Sequence, residues 1–474
     1  MLLTKMKEPT MKRNRKSKSR HKFSHREQQF LERIHLNAAG IDIGSASHFV
    51  AVPQDRDPEP VREFKSFTGG LIQLADWLTA CEIETVAMES TGVYWIPLYE
   101  ILTDRGFEVL LVNAHHVKGV PGRKTDVVDC QWIQQLHTFG LLRASFRPDA
   151  QITVLRTLVR HRETLVDEAG SYIQRMQKAL VLMNLHLHKV LRDITGVTGL
   201  AILRDIVGGQ TDPKVLARHR DPRCKSSPQD IAAALQGHYR SEHLFVLGQN
   251  LELYDFYHDQ IRACDQQIQV CILELEAPVK APDLPLPPAQ PGRRLRPNEP
   301  QFDIRSPLFV LSGGADLTQL PGIGPYNALK LVAEIGLDMH HWPTPKHFVS
   351  WLTLAPNNKI SGGKILSSKT QPSANRASTI LRLAAMAIGR SDHARGAFYR
   401  RLGARIGKAK AITATARKLA ILVYLTLRDK LVYSEQSAAS YGGSQRKRML
   451  RGLRKRAKSL GFKLVDTSTG LAME

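Results

Sequence analysis

Cysteine is scarce and scattered in this sequence. The five residues (Cys81, Cys130, Cys224, Cys264 and Cys271) are odd in number and include no Cys-x-x-Cys pair. That excludes a disulfide framework and a thiolate zinc site, and fits free thiols in a reducing compartment. Long apolar runs are missing too. The nearest, Leu419 to Leu427, is far too short to span a bilayer. The first residues, Met1 to Arg26, are basic and hold no apolar core, so they do not read as a secretory signal. Acid is the third deficit: 44 Asp and Glu face 67 Lys and Arg, a formal charge of +23. Self-repulsion on that scale calls for a polyanion, which makes nucleic acid the expected partner. The expected setting is the cytoplasm of a bacterial-type cell, in association with the nucleoid. No His-Glu-x-x-His, Gly-x-Ser-x-Gly, dinucleotide Gly-x-Gly-x-x-Gly or zinc spacing occurs.

What is present falls into segments. Residues 1–35 form a basic arm expected to be disordered. Residues 36–150 alternate strand and helix patterns. Ala39 to Val52 reads as two strands of a hairpin, Glu84 to Glu89 and Glu108 to Asn113 as further strands, and Gly69 to Ala80 and Trp95 to Arg105 as helices. That alternation predicts an α/β sheet. Residues 151–277 carry two apolar seams at heptad spacing, Ile152 to Leu187 and Leu247 to Leu275, with Arg162 the one intruder in the first. Two such helices predict an antiparallel coiled-coil stalk or an oligomerisation element. Between the seams, residues 195–243 show no clear period. Residues 278–304 form a proline-dense linker, 305–435 a compact helical unit, and 436–474 a basic tail.

The candidate chemistry lies in a few short stretches. In Arg123-Lys124-Thr125-Asp126-Val127-Val128-Asp129-Cys130, Asp126 and Asp129 share a helix face if the helix starts near 125, with Val127, Val128 and Ile133 turned toward a core. Two like charges on one face repel unless a cation or solvent intervenes. Asp42 lies mid-strand between Ile41 and Ile43, where an unpaired carboxylate costs several kcal/mol. Glu89 closes a later strand. Acids in this order match RNase-H-like nucleases, in which carboxylates gather divalent ions at a phosphodiester. Mg2+ suits such a set, because it takes oxygen ligands and keeps its waters. Farther on, Leu320-Pro321-Gly322-Ile323-Gly324-Pro325 is similar to a helix-hairpin-helix turn, whose backbone N–H groups approach phosphate. Ile360-Ser361-Gly362-Gly363-Lys364 reads as a loop presenting a serine beside a lysine. Lys364, Lys369, Asn375 and Arg376, together with Arg123 and Lys124, are suited to phosphate.

Taken together these stretches resemble the insertion-sequence transposases that join a RuvC-like domain with a DEDD acidic tetrad to a serine-bearing C-terminal domain, the bridge-RNA-guided recombinases. GIDIGSASHFVAV, AMESTGVYW and GRKTDVVDCQWI carry the first half of the likeness. LPGIGPYNALKLVAEIG, WLTLAPNNKISGGK and SANRASTILRLA carry the second. The resemblance covers roughly 38–195 and 310–430. It implies an RNase-H/RuvC-like N-terminal domain, a helical stalk and a mostly α-helical C-terminal domain. Asp42, Glu89, Asp126 and Asp129 would bind Mg2+, and Ser361 would be the nucleophile, with Ser367 and Ser368 close enough to compete. It further implies donor and target DNA as substrates, a structured noncoding RNA as guide, and homodimers assembling to tetramers. A metal-only junction resolvase, or a nucleic-acid-binding scaffold without activity, is the alternative.

Overall fold

The computed structural model describes residues 32–90, 92–113, 126–275, 285–289, 298–434, 438–463 and 465. The chain divides into two compact units, Met1–Arg147 and Pro148–Glu474.

The first unit is built on five strands, β1 (Ala38–Ile43), β2 (Ser47–Ala51), β3 (Val61–Lys65), β4 (Thr85–Glu89) and β5 (Glu108–Val112). They lie in the order β3-β2-β1-β4-β5. The first three are antiparallel neighbours, whereas β1, β4 and β5 run parallel. A short turn suffices between the antiparallel strands, while each parallel pair needs a helical crossover. Those crossovers are α1 (Thr68–Ala80) and α2 (Trp95–Asp104). Leu71, Leu74, Trp77 and Leu78 of α1 pack with Leu98 and Leu102 of α2 on Ile41, Ile43, Val50, Val86 and Met88 of the sheet. The other sheet face is covered by α3 (Asp126–Thr138), through Ile133 against Ala87 and Val112. This mixed α/β sheet is consistent with an RNase-H-like fold. β3 is absent from the sequence expectation. Its residues Val-Arg-Glu-Phe-Lys lie half-buried or exposed at the sheet edge, so the apolar alternation that marks a strand is weak.

The second unit is mostly helical. Helix α4 (Ala150–Leu182), capped by the Asp149 carboxylate accepting from Ile152 N–H at 2.7 Å, pairs antiparallel with α5 (Ser241–Glu274). Arg162, the intruder in the heptad seam, is 1% exposed and makes a forked pair with Asp265 at 2.5 and 3.2 Å. It also donates to the Asn298 carbonyl at 3.0 Å and stacks over the Tyr326 ring. The unpatterned segment between the seams is a cap of short helices (Val197–Val207, Pro213–Leu216, Pro228–Ala234), whose Ile202, Ile206, Leu216 and Ile231 share one core with Met176 and Leu180 of α4 and Leu247 and Leu251 of α5. Helices this brief show too few turns to display a period.

After the proline-dense stretch come α6 (Arg305–Leu311), a 3-10 turn at Leu317–Gln319, α7 (Pro325–Ile335) and α8 (Pro345–Trp351). A hairpin of β6 (Lys359–Ser361) and β7 (Lys364–Ser367) precedes α9 (Arg376–Ile388), α10 (Ala394–Ile406), α11 (Lys408–Asp429) and α12 (Ala438–Ser459). Glu334 of α7 accepts a fork from Arg160 of α4 at 2.8 Å in both branches, which ties the long helices to the later ones. Among the described residues no helix is long and apolar enough to cross a membrane.

Candidate active site

Side chains alternate along a strand, so the face that each acid occupies follows from its neighbours. Ile41 and Ile43 belong to the core under α1 and α2, which places Asp42 with Gly40 on the opposite face, the one α3 covers. In the parallel β1–β4 pair, Gly40 stands opposite Ala87 and Ile41 opposite Met88. Continuing that register by one residue sets Asp42 beside Glu89, on strands about 4.8 Å apart. Ala87 packs on the α3 side, and Glu89 follows it at the strand period of two. One rung therefore runs Glu63, Phe49, Asp42, Glu89, Val112 across the sheet. Its two central carboxylates stand at the C-terminal ends of the two central parallel strands. Glu63, at the edge, is held below the usual carboxylate range by a hydrogen bond from Ser47 and by Lys65.

Helix α3 supplies the rest. Its buried stripe is Cys130, Ile133 and His137, one turn apart. Val127 and Val128, expected to face the core, are exposed instead, because the 3.6-residue period carries them off that stripe. Asp129 is half-buried beside Cys130. Burial, with the carboxylates of Asp42 and Asp129 adding in the same direction, pushes the Cys130 thiol up to about 12. One buried thiol thus feels both acids, one from the sheet and one from the helix. Asp126 opens α3 one turn before Cys130. Its side chain, like Arg123 and Lys124, lies outside the described residues.

Gly40 sets the closeness of this packing. A Cβ there would stand 2.2 Å from the Gln134 backbone nitrogen and 2.5 Å from the Cys130 carbonyl oxygen. Only glycine lets the helix backbone lie so near the strand. A glycine inside a strand is a known sign of such close backbone approach. At the far end of α3, His137 shares a 2.9 Å hydrogen bond with Thr85 and stacks on His35 at 4.8 Å. Burial, aided by His35, lowers its pKa to about 4.

Ser361 occupies a different kind of place. It ends β6 directly opposite Lys364, across a two-residue turn of Gly362 (φ +55°) and Gly363 (φ +75°). Two consecutive left-handed residues are what a tight type I′ hairpin demands, so the expected loop is a β-hairpin. Its residues Lys359 to Leu366 are exposed, with Ile360 and Ile365 facing each other across the strands. Ser367 and Ser368 lie on the return strand and just past it.

The other expected phosphate contacts divide. Lys364 and Lys369 are exposed. Asn375 caps α9 by accepting from Ser378 N–H at 2.9 Å, and Arg376 pairs with Glu163 of α4 at 3.0 Å, so both have structural work already. Gly322 (φ +74°) is exposed at the turn before α7, and a Cβ on it would come within 2.8 Å of the Ala384 carbonyl. Gly324 is the buried N-cap of α7. Packing against α9 is enough to require the first of these glycines.

Residues 39–184, which contain all four acids, match the DEDD_Tnp_IS110 transposase model. Residues 314–400, which contain Ser361 and both glycines, match the model of the transposase IS116/IS110/IS902 family. Both stretches are thus similar to transposases of the IS110 type. A stretch of 126 residues is also 32% identical to the insertion element IS110 uncharacterized 43.6 kDa protein of Streptomyces coelicolor. That alignment covers 26% of this chain and 31% of the relative, so the likeness reaches about a third of the relative's length.

The donor set of these acids suits a divalent cation. Carboxylate oxygens on a half-buried rung are hard ligands that leave room for retained waters. Among the described residues, no three His, Cys, Asp or Glu side chains are drawn together closely enough to hold a metal by themselves. Asp126 is the remaining acid of the set.

Proposed function

We propose that this chain is a transposase of the IS110 family that cuts and rejoins the DNA of an insertion element, using Asp42, Glu89, Asp126 and Asp129 as a Mg2+ site and Ser361 as nucleophile. The observation that carries the reading is the shared rung of Asp42 and Glu89, with Asp129 brought over the same sheet face by α3. Three acids distant in sequence are thereby brought to one face of the sheet. A divalent ion held by them would supply Lewis-acid polarisation of a phosphodiester and would lower the pKa of an attacking oxygen.

The chain's own residues divide the remaining work. A serine hydroxyl is a weak nucleophile at neutral pH and requires activation. In the proposed step the Ser361 Oγ forms a bond to phosphorus as its proton passes to a base at the acidic centre. The P–O bond to one sugar breaks, and the released sugar oxygen takes a proton. Attack of another strand's hydroxyl on the phosphoserine reverses this chemistry and completes the exchange. Exposure of the Ser361 hairpin supports this scheme. Phosphate contacts by Lys364, Lys369 and the Gly322–Gly324 turn belong to the same reading.

Assembly as a homodimer building to a tetramer is part of the proposal. Phe245, Phe256 and Leu273 of α5 are exposed by 53–66% and would be covered in such a contact. A structured noncoding RNA from the element would choose donor and target DNA. The test is Asp42→Asn and Asp126→Asn in the full chain. Both should abolish Mg2+-dependent cutting while leaving circular dichroism and DNA binding unchanged, and cutting at the normal rate by either variant would remove the acidic centre from the chemistry.

A further inference from the structure

Residues 339–465 hold 26 Lys or Arg against three acids, Asp392, Asp429 and Glu435, a surplus of 23 that equals the net charge of the whole chain. Within that stretch the charge is still more one-sided. Residues 393–428 contain nine Lys or Arg and no Asp or Glu, and residues 436–465 contain nine more and again no acid. In the sequence the second group reads as an appendage. In the structure it forms the helix α12, which packs on α10, itself packed on α11. The basic tail is therefore part of a folded surface.

The arrangement on α12 is ordered. Lys447, Arg451, Lys455 and Lys458 fall at i, i+4, i+8 and i+11, one ridge along the helix, and all four are exposed. Arg401 and Arg405 of α10, with Lys408 and Lys410 at the start of α11, add an exposed cationic shoulder. Like charges one turn apart destabilise a helix, so a ridge of four without any interleaved carboxylate lacks a purpose within the folded unit. Ridge positions recur about every 5.4 Å. A nucleic-acid duplex carries a phosphate charge for about every 1.7 Å of its axis, so each ridge residue meets an anion. All four ridge side chains are cationic, the type that contacts phosphate oxygens. It is built for backbone.

We propose that the α12 ridge and its α10–α11 shoulder form a second nucleic-acid surface, distinct from the acidic centre and the Ser361 hairpin, that binds the phosphodiester backbone of a duplex. It rests on the proposed function only in taking nucleic acid as the ligand class, and not on the chemistry proposed there.

The experiment compares the full chain with a variant carrying Lys447→Gln, Arg451→Gln, Lys455→Gln and Lys458→Gln. Binding is measured against salt on a DNA duplex, an RNA duplex of equal length and phosphatidylserine vesicles. Losing four phosphate contacts should flatten the slope of log K against log salt by about 3.6 on B-form DNA. Flattening on DNA, on RNA or on both supports the surface and names its source. Unchanged slopes on both, or a loss confined to vesicles, overturn it. Met449→Gln with Leu453→Gln, exposed on the same helix but off the ridge, should leave the slopes alone. Equal flattening by that pair would mean that helix integrity, and not the ridge, had been measured. Asp42→Asn and Ser361→Ala should retain the full slope, so a failure of the chemistry leaves this surface standing.

Discussion

Replacing Gly40 by alanine tests the geometry of the acidic centre without touching an acid. The new Cβ would stand 2.2 Å from the Gln134 nitrogen and 2.7 Å from its Cα, both backbone atoms that no rotamer change can move. Ordinary contact begins at 3.4 Å, so α3 must withdraw by about 1.2 Å, the difference between 3.4 and 2.2. Overpacking of this kind costs about 1–3 kcal/mol, which a unit with a core from Ala39 to Leu111 should survive folded. The effect on chemistry should be larger in proportion. A displacement of about 1 Å in a catalytic group lowers the rate roughly 100-fold, and Asp126 and Asp129 ride on the displaced helix. The assay is single-turnover cutting of a labelled element-end DNA, with thermal unfolding measured in parallel. Gly170→Ala is the matched control. It lies inside α4 with no atom within 4 Å of a new Cβ, and should raise stability by about 0.5–1 kcal/mol at unchanged rate. A folded Gly40→Ala protein that cuts like wild type would refute the reasoning, because α3 would then not set the site.

Other expectations concern stability and binding. Arg162→Ala should destabilise the second unit by about 3–5 kcal/mol, since it strands Asp265 in the helix seam. Pairing it with Asp265→Leu should restore much of that loss in a denaturant titration. His137 keeps its proton when folded only below about 4, against an ordinary 6.5. Between those values the unfolded chain binds the additional proton, so stability is present near neutrality and falls as pH drops through that window, by at most about 3 kcal/mol. Unfolding of His137→Gln from pH 7 to 5 should show a weaker pH dependence than wild type, and an identical one would discard the linkage. Removing residues 1–28, which carry ten of the Lys and Arg, should weaken nucleic-acid binding at physiological salt without changing which site is cut. Equal affinity would assign the arm another task.

Much of the first unit was legible because its pattern is clean. Strands β1 and β4 are buried on both faces and read as short apolar runs, helices α1 and α2 show apolar residues at helical spacing, and the acids Asp42 and Glu89 interrupt or close those runs at visible positions. The edge strand β3 was not legible, since its side chains meet solvent. Gly362-Gly363 did carry a hairpin signal between two short alternating runs, yet a three-residue strand offers too little pattern to outweigh a loop. Arg376 and Asn375 show a different limit. Each looks like a phosphate donor in sequence, whereas Arg376 finds Glu163 across the fold and Asn375 spends its carbonyl on a helix cap. Side-chain partners distant along the chain leave no local trace. Gly40 inside β1 did carry a sign of close backbone approach, but nothing local told which helix would make it.

The claim that Ser361 forms a covalent bond to DNA can be tested in one measurement. Full-length protein is mixed with element-end DNA, the reaction is stopped in denaturant, and the protein–DNA adduct is mapped by peptide mass. The account predicts an adduct on the peptide containing Ser361, its loss in Ser361→Ala with DNA binding retained, and its loss in Asp42→Asn. An adduct on Ser367 or Ser368, or recombination by Ser361→Ala at the normal rate, would contradict it.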